Sequence, residues 1–451
     1  MAARRGSRAR RICAYLAGIA VLVGGIGWLI GRDLWSVRII PASPARLSAI
    51  VGEDLEWTPK PTAKPGITFA EVERLTGAAK LKIPPFNSKT TDAEILKLAP
   101  QIEGTRKSTD ILERIIATRD ASPAQIMALG EMPEVGLFSL RTAYERQFVL
   151  AMVRRDSARA LELILREQEF ERFQASRQGG FLDYGIPSVS RMVGLAWRRN
   201  AFSTAQLRRL YDGLDVAPAV DRRVPRRLAF CFQQFVAEGV EEEAKQLHSP
   251  PPGSSEQSSV GEFDIAKTYQ AGAAITREGI HNASLPWHDM KWPIAEAVDR
   301  IFRALPKEPT DDDATPGWRK WFDETLYRQK MRGIPNVIGL ETLRGDHDGY
   351  GAITQGTLET STSTRTLSEA GRLLVSLWLY EKTFGHYPAK LTDLRVLKLP
   401  GPEPVDFFAG GPFQYDARRL LLWSVGENGV DDGGRTDLGS GPADDLLFKH
   451  P

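Results

Sequence analysis

A mainly helical protein is predicted, built on an N-terminal transmembrane helix and ending in a small α+β module. Three observations predict it. Residues 12–31 carry no charge, apolar residues recur at helical spacing through 67–343, and the stretch 367–451 reads as a helix end, two strand-like pieces and a glycine-rich acidic loop. Between anchor and body, residues 32–66 hold Pro41, Pro44, Pro59, Pro61 and Pro65, the composition of an extended stalk.

The bulk numbers narrow the choice of class. With 42% hydrophobic and 26% charged residues, the 451-residue chain has the balance of a globular protein, long enough for two or three domains. The formal net charge is +2, and the five arginines at positions 4, 5, 8, 10 and 11 carry it; subtracting them leaves −3 for the remainder. Nothing in so neutral a body points to nucleic acid. Only Cys13 and Cys231 occur, so neither a disulfide framework nor a CxxC zinc site is expected.

The uncharged run at 12–31 reads ICAYLAGIAVLVGGIGWLIG. At about 1.5 Å per residue it matches the roughly 30 Å hydrocarbon core of a bilayer. The arginine arm at 1–11 precedes it, and Arg32 and Asp33 nearly cancel behind it. The positive-inside rule then places the arm in the cytoplasm and the bulk outside. A cleaved signal peptide is the alternative, but the run exceeds the usual apolar region of roughly 7–15 residues, and no A-x-A site closes it.

Within the body at 67–343, Thr91-Asp92-Ala93-Glu94 has the form of a capped helix start. Tyr144, Phe148, Leu161 and Ile164 share a helical period that Asp156 and Ser157 should break into two helices, Ser203 should cap another, and Pro225 should open one running through Phe235. Residues 249–260 form a Pro- and Ser-rich interruption, followed by helices near 294–305 and 318–331. The Gly-, Ser- and Thr-rich stretch 344–366 reads as a linker to a C-terminal module at 367–451.

No HExxH, GxSxG or Walker motif is present. Asp346-His347-Asp348 has the groups of a metal ligand set, but Gly345 and Gly349 flank it as in an ordinary loop and favour a turn with solvated charges. The acidic loop is richer, with Ser424, Asp431, Asp432, Asp444 and Asp445 interleaved with glycines. Calcium takes six to eight oxygens at about 2.3–2.6 Å, and glycines let backbone carbonyls turn inward beside the carboxylates. Composition alone leaves a calcium loop and a plain acidic turn equal.

The order of motifs separates those readings. Leu379-Tyr380-Glu381-Lys382 with Gly385-His386-Tyr387-Pro388, then Pro404-Val405-Asp406, Gly410, Pro412-Phe413-Gln414-Tyr415 and Leu422-Trp423-Ser424-Val425-Gly426 resemble, in order and spacing, the C-terminal domain of type II secretion major pseudopilins. The resemblance covers only 367–451 and implies a small α+β fold with a Ca²⁺ loop. It departs from the family at the front: the anchor lies far upstream, at 12–31, and lacks the prepilin cleavage site, so a processed pilus subunit is not implied. The whole chain is similar to a bacterial group in which an anchor and a helical domain precede such a tail, Leu182-Asp183-Tyr184 and Arg226-Arg227-Leu228-Ala229 included. That likeness implies no activity.

The expectation is therefore a non-enzymatic, single-pass protein of the bacterial inner membrane, N-terminus in, serving as an assembly or interaction scaffold. Its partners would be the membrane, through 12–31, and other envelope proteins, with no small-molecule substrate. An extracytoplasmic hydrolase is the alternative, favoured if His281, His288, Asp289 and Asp346 converge.

Overall fold

The computed structural model describes residues 37–55, 90–106, 109–110, 133–176, 188–214, 216–217, 224–248, 261–304, 317–344, 350–435 and 446–449. The 12–31 run, the 249–260 interruption and residues 345–349 lie outside them. The described chain is mainly helical. Strand β1 (Val37–Ile40) leads into α1 (Pro44–Leu55), followed by the short α2 (Asp92–Lys97) and α3 (Ala99–Gly104) and the long pair α4 (Pro133–Val153) and α5 (Ser157–Ser176). Then come α6 (Ser188–Arg198), α7 (Thr204–Gly213), and α8 (Val224–Cys231), which runs through a π-helical turn at Phe232–Ala237 into α9 (Glu238–His248). Strand β2 (Gly261–Asp264) precedes α10 (Ile265–Asn282), α11 (Pro293–Ala304), α12 (Gly317–Arg332), α13 (Val337–Arg344) and α14 (Tyr350–Phe384). The tail adds a 3₁₀ segment at Leu391–Leu397 and strands β3 (Gln414–Asp416), β4 (Leu421–Ser424) and β5 (Leu446–Lys449).

Several of these boundaries follow from local chemistry. Thr91 caps α2 with its hydroxyl on the Glu94 N–H, and Glu94 returns a 2.7 Å bond to the Thr91 N–H. Ser203 and Gln206 repeat the device at α7. Between α4 and α5, Arg155 takes a left-handed conformation (φ 59°) and Asp156 accepts from the Arg159 N–H at 3.0 Å, so the break falls where expected.

The chain divides into two compact units. The first unites β1 and α1 with 231–278 and 292–354. Here β1 and β2 pair in parallel, Val37 opposite Gly261 through Ile40 opposite Asp264. The buried Asn336 side chain accepts from the Asp264 N–H at 2.7 Å and donates to Thr268. Arg277 holds the end of α1 through both oxygens of Asp54 and the carbonyls of Ile50 and Val51. These contacts correct two expectations. Residues 37–55 of the stalk form a strand and a helix, and strands are not confined to the C-terminal module. The β1–β2 pairing joins 37–40 to 261–264, segments far apart in the chain, and no local pattern encodes it.

The second unit unites 57–230, 279–291 and 355–451. Its core interleaves Tyr144, Phe148, Leu161, Ile164, Val193, Trp197, Phe202 and Leu210 with Ala370, Leu374, Trp378, Leu397, Phe413 and Leu422. Trp378 is fully buried, stacked at 5.5 Å on Phe202 and 6.3 Å on Trp197. The residues at 367–451 thus share one core with α4–α7 instead of forming a module of their own. Nor is 350–366 a linker: it is the first half of the 35-residue α14, with Thr354, Thr357, Ser361, Thr362 and Thr366 buried. Thr354 returns its hydroxyl to the Tyr350 carbonyl at 3.0 Å, which satisfies a polar side chain inside a helix.

Candidate functional site

The tail is organised by two buried polar knots. The first centres on Asp406, which has no exposed surface. Its backbone pairs with Gly411, and Oδ1 accepts from the Phe408 N–H at 3.0 Å and the Ser424 hydroxyl at 2.8 Å. Oδ2 accepts from the Val425 N–H at 3.1 Å, while Ser424 Oγ accepts in turn from the Gly426 N–H. One carboxylate thereby ties the 406–411 turn to the end of β4. Burial pushes its pKa above the ordinary carboxylate value, against the pull of these hydrogen bonds.

The second knot lies on α14. Arg372 and Glu369, 1% and 2% exposed, form an ion pair at 2.7 Å. Glu369 also accepts from the Ala217 N–H at 2.6 Å, and Arg372 donates to the Tyr211 hydroxyl at 2.8 Å. The same guanidinium reaches the carbonyls of Pro400 and Pro402 around Gly401, whose φ of 89° favours glycine; a Cβ there would sit 3.0 Å from Arg372 Nη2. Arg372 therefore links α7, α14 and the loop after the 3₁₀ segment.

Beyond β4 the acidic loop closes on itself. Asp431 Oδ1 accepts from the Trp423 indole at 2.8 Å and the Gly433 N–H at 2.9 Å. Asp432 Oδ2 accepts from the Asn428 amide at 3.2 Å, and Arg419 donates to the Gly433 carbonyl. Gly426, Gly429, Gly433 and Gly434 all have φ near +70°, conformations that suit glycine. The Trp287 indole donates to the Glu427 carbonyl at 2.8 Å and packs edge-on against Phe408 at 5.3 Å.

Of the five residues expected to hold calcium, the structure brings three into this region. The Ser424 hydroxyl is directed at Asp406. Asp431 and Asp432 are adjacent in the loop and keep acceptor capacity beyond the bonds named. Asp444 and Asp445 lie outside the described residues. Two carboxylates fit calcium's preference for oxygen but supply only part of its six to eight ligands. Among the described residues no three His, Cys, Asp or Glu side chains gather at metal-binding distance.

The residues of the hydrolase alternative are placed as follows. His281 is exposed; His288 and Asp289 are more than half exposed and 3.8 Å apart, and Asp346 lies outside the described residues. An apolar cleft lined by Trp197, Leu374, Tyr387, Tyr415 and Leu422 has a cavity volume of about 10 Å³, room for little more than one water. That is below the roughly 300–1,000 Å³ of small-molecule sites.

Sequence reasoning did not assign roles to Asp406, Glu369 and Arg372. A signal existed for the last two: a charged pair at i, i+3 inside LSEAGRLLVSLWLY, flanked on both sides by residues that must be buried. No protein-family model matches the chain, nor does any curated protein or solved structure.

Proposed function

We propose that the protein is a single-pass, membrane-anchored scaffold of the bacterial cell envelope, with a pseudopilin-like tail whose acidic loop is stabilised by Ca²⁺. The observation that carries the scaffold reading is the use of the tail's buried polar groups. Arg372, Glu369, Asp406 and Ser424 are spent on joining chain segments, Arg372 reaching Tyr211 across 161 positions and Glu369 reaching Ala217 across 152. Buried hydrogen-bonded networks rigidify a fold, and this one leaves only Arg372 Nε among its named groups without a partner, which suits a body that presents surfaces to partners. The arginine arm and the uncharged 12–31 run support the anchor, N-terminus inside. For the calcium loop, support comes from the ordered tail motifs and the adjacent Asp431 and Asp432.

The test is made on the full chain in a bacterial inner membrane, with a reporter active only outside the cytoplasm fused after Pro451. Activity, with the chain retained in alkali-washed membranes, is the expected result. An inactive reporter on a stable fusion overturns the orientation, and release by alkali overturns the anchor. Site-specific photo-crosslinking from exposed positions such as Val396 and Val430 should trap discrete envelope proteins. Crosslinks to none would sink the scaffold role.

A further inference from the structure

Helix α11 in the first unit presents an apolar stripe to solvent. Ile294 and Ile301 are 39% and 43% exposed, Ala297 is exposed beside them, and Val298 is half-buried. These positions recur at i, i+3, i+4 and i+7, so they lie along one face. The N-terminal turn is fixed to the unit: Glu278 accepts from the N–H groups of Ile294 and Ala295 at 2.8 and 3.0 Å, and Ala295 faces Gly351. Exposed Arg300 flanks the stripe, while Asp299 and Arg303 pair farther round the helix. The helix is held in place, and its apolar stripe stays exposed beside a polar face of Glu296, Asp299, Arg300 and Arg303.

The short chain ahead of β1 favours one occupant for that face. Residues 32–36 are all that separate the uncharged 12–31 run from Val37. A segment that short reaches at most about 18 Å when fully extended. The strand it enters pairs with β2, β2 packs on α13, and α13 packs on α11, all within one unit. If 12–31 spans a bilayer, this unit is tethered against the bilayer's surface. We infer that α11 lies in that surface, its Ile294–Val298–Ile301 stripe in the acyl boundary and Arg300 among the headgroups. An amphipathic helix with a basic residue at the edge of its apolar face has the chemistry for this placement. The inference rests on the anchor reading proposed above.

Wild-type full-length chain in vesicles of phosphatidylethanolamine and phosphatidylglycerol, doped with a phospholipid bearing a photoreactive acyl chain, tests both at once. Lipid adducts should map by mass spectrometry to 12–31 and to 293–304. Adducts in 12–31 without any in 293–304 overturn the docking of α11 and leave the anchor standing. No adducts in 12–31 overturn the anchor and the inference with it. Ile294→Asp with Ile301→Asp should abolish the 293–304 adducts while keeping those in 12–31. Adducts at 293–304 that survive this double substitution show that the stripe is not what binds lipid.

Discussion

Asp406 shows how much of the tail hangs on one side chain. Replacing it by Ala leaves the Ser424 hydroxyl and the N–H groups of Phe408 and Val425 without their partner in a site closed to water. Asp406→Ala should cost roughly 3 kcal/mol in urea unfolding, whereas Ser424→Ala, which removes one of those bonds and the acceptor of the Gly426 N–H, should cost about 2 kcal/mol. The pH dependence has a definite sign. Burial raises the pKa of both Asp406 and Glu369, so the folded state binds their protons more tightly than the unfolded chain does. Their contribution to stability is complete below the ordinary values of 3.8 and 4.5 and is lost as pH rises through the raised folded values. Unfolding midpoints measured across mildly acidic pH should show this decline, and Asp406→Asn should remove its share. Arg372 is the other sensitive residue: Arg372→Met strands Glu369 as an unpaired buried charge and should cost about 3–5 kcal/mol.

At the scale of an element, α14 is the part that sequence pattern reads least well. Ser and Thr are neutral to unfavourable inside helices because their hydroxyls compete for the backbone, so TSTSTRT at 360–366 looks like a linker. In the folded chain several of these side chains are buried, Thr354 returns its hydroxyl to the backbone, and Thr366 accepts from the Phe407 N–H at 3.2 Å. At 1.5 Å per residue the 35-residue helix runs about 52 Å. It stops at Gly385, whose N–H bonds the Glu381 carbonyl at 2.7 Å with φ of 76°. A Cβ there meets nothing, so Gly385→Ala should cost only the backbone strain, about 1–2 kcal/mol, readable as a small shift in thermal midpoint. Trp378→Ala, in the same helix but stacked between Trp197 and Phe202, should cost about 3–5 kcal/mol. The caps at Thr91 and Ser203 and the break at Asp156 were legible because each is complete within a few residues.

For the whole molecule, the shared core predicts how the second unit fails. A chain lacking 367–451 loses Leu374, Trp378, Leu397, Phe413 and Leu422 from among the α4–α7 side chains. Its second unit should keep helical far-ultraviolet dichroism while losing its share of the near-ultraviolet signal and its cooperative urea transition, leaving only that of the first unit. A second cooperative transition in that truncated chain, beside that of the first unit, would mean that α4–α7 hold their own core. On the proposed calcium reading, millimolar Ca²⁺ should raise the thermal midpoint of the full chain, because a ligand of the folded state alone stabilises it by RT ln(1 + [L]/Kd). Asp431→Ala with Asp432→Ala should remove that increment. Calorimetry that detects no binding at millimolar Ca²⁺ would reduce the loop to an acidic turn held by Trp423, Asn428 and Arg419.

The third tail strand, β5, was not present in the sequence, whereas the helical character of the body, the caps and breaks named above, and the order of helix end, 3₁₀ segment and first two strands in the tail were. Each depends on periodicity or hydrogen bonds that span a turn or two of chain. Tertiary structure alone decided that β1 lies beside β2, that 350–366 is helix, that the tail shares a core with α4–α7, and that the Ser424 hydroxyl serves Asp406. Those outcomes depend on which surface arrives opposite a segment from a distant part of the chain. A short apolar run such as VRII will pair with any compatible edge, and a Thr-rich stretch becomes helix when a neighbouring surface buries it. The partner supplies the deciding free energy, and the partner is not written beside the segment it completes.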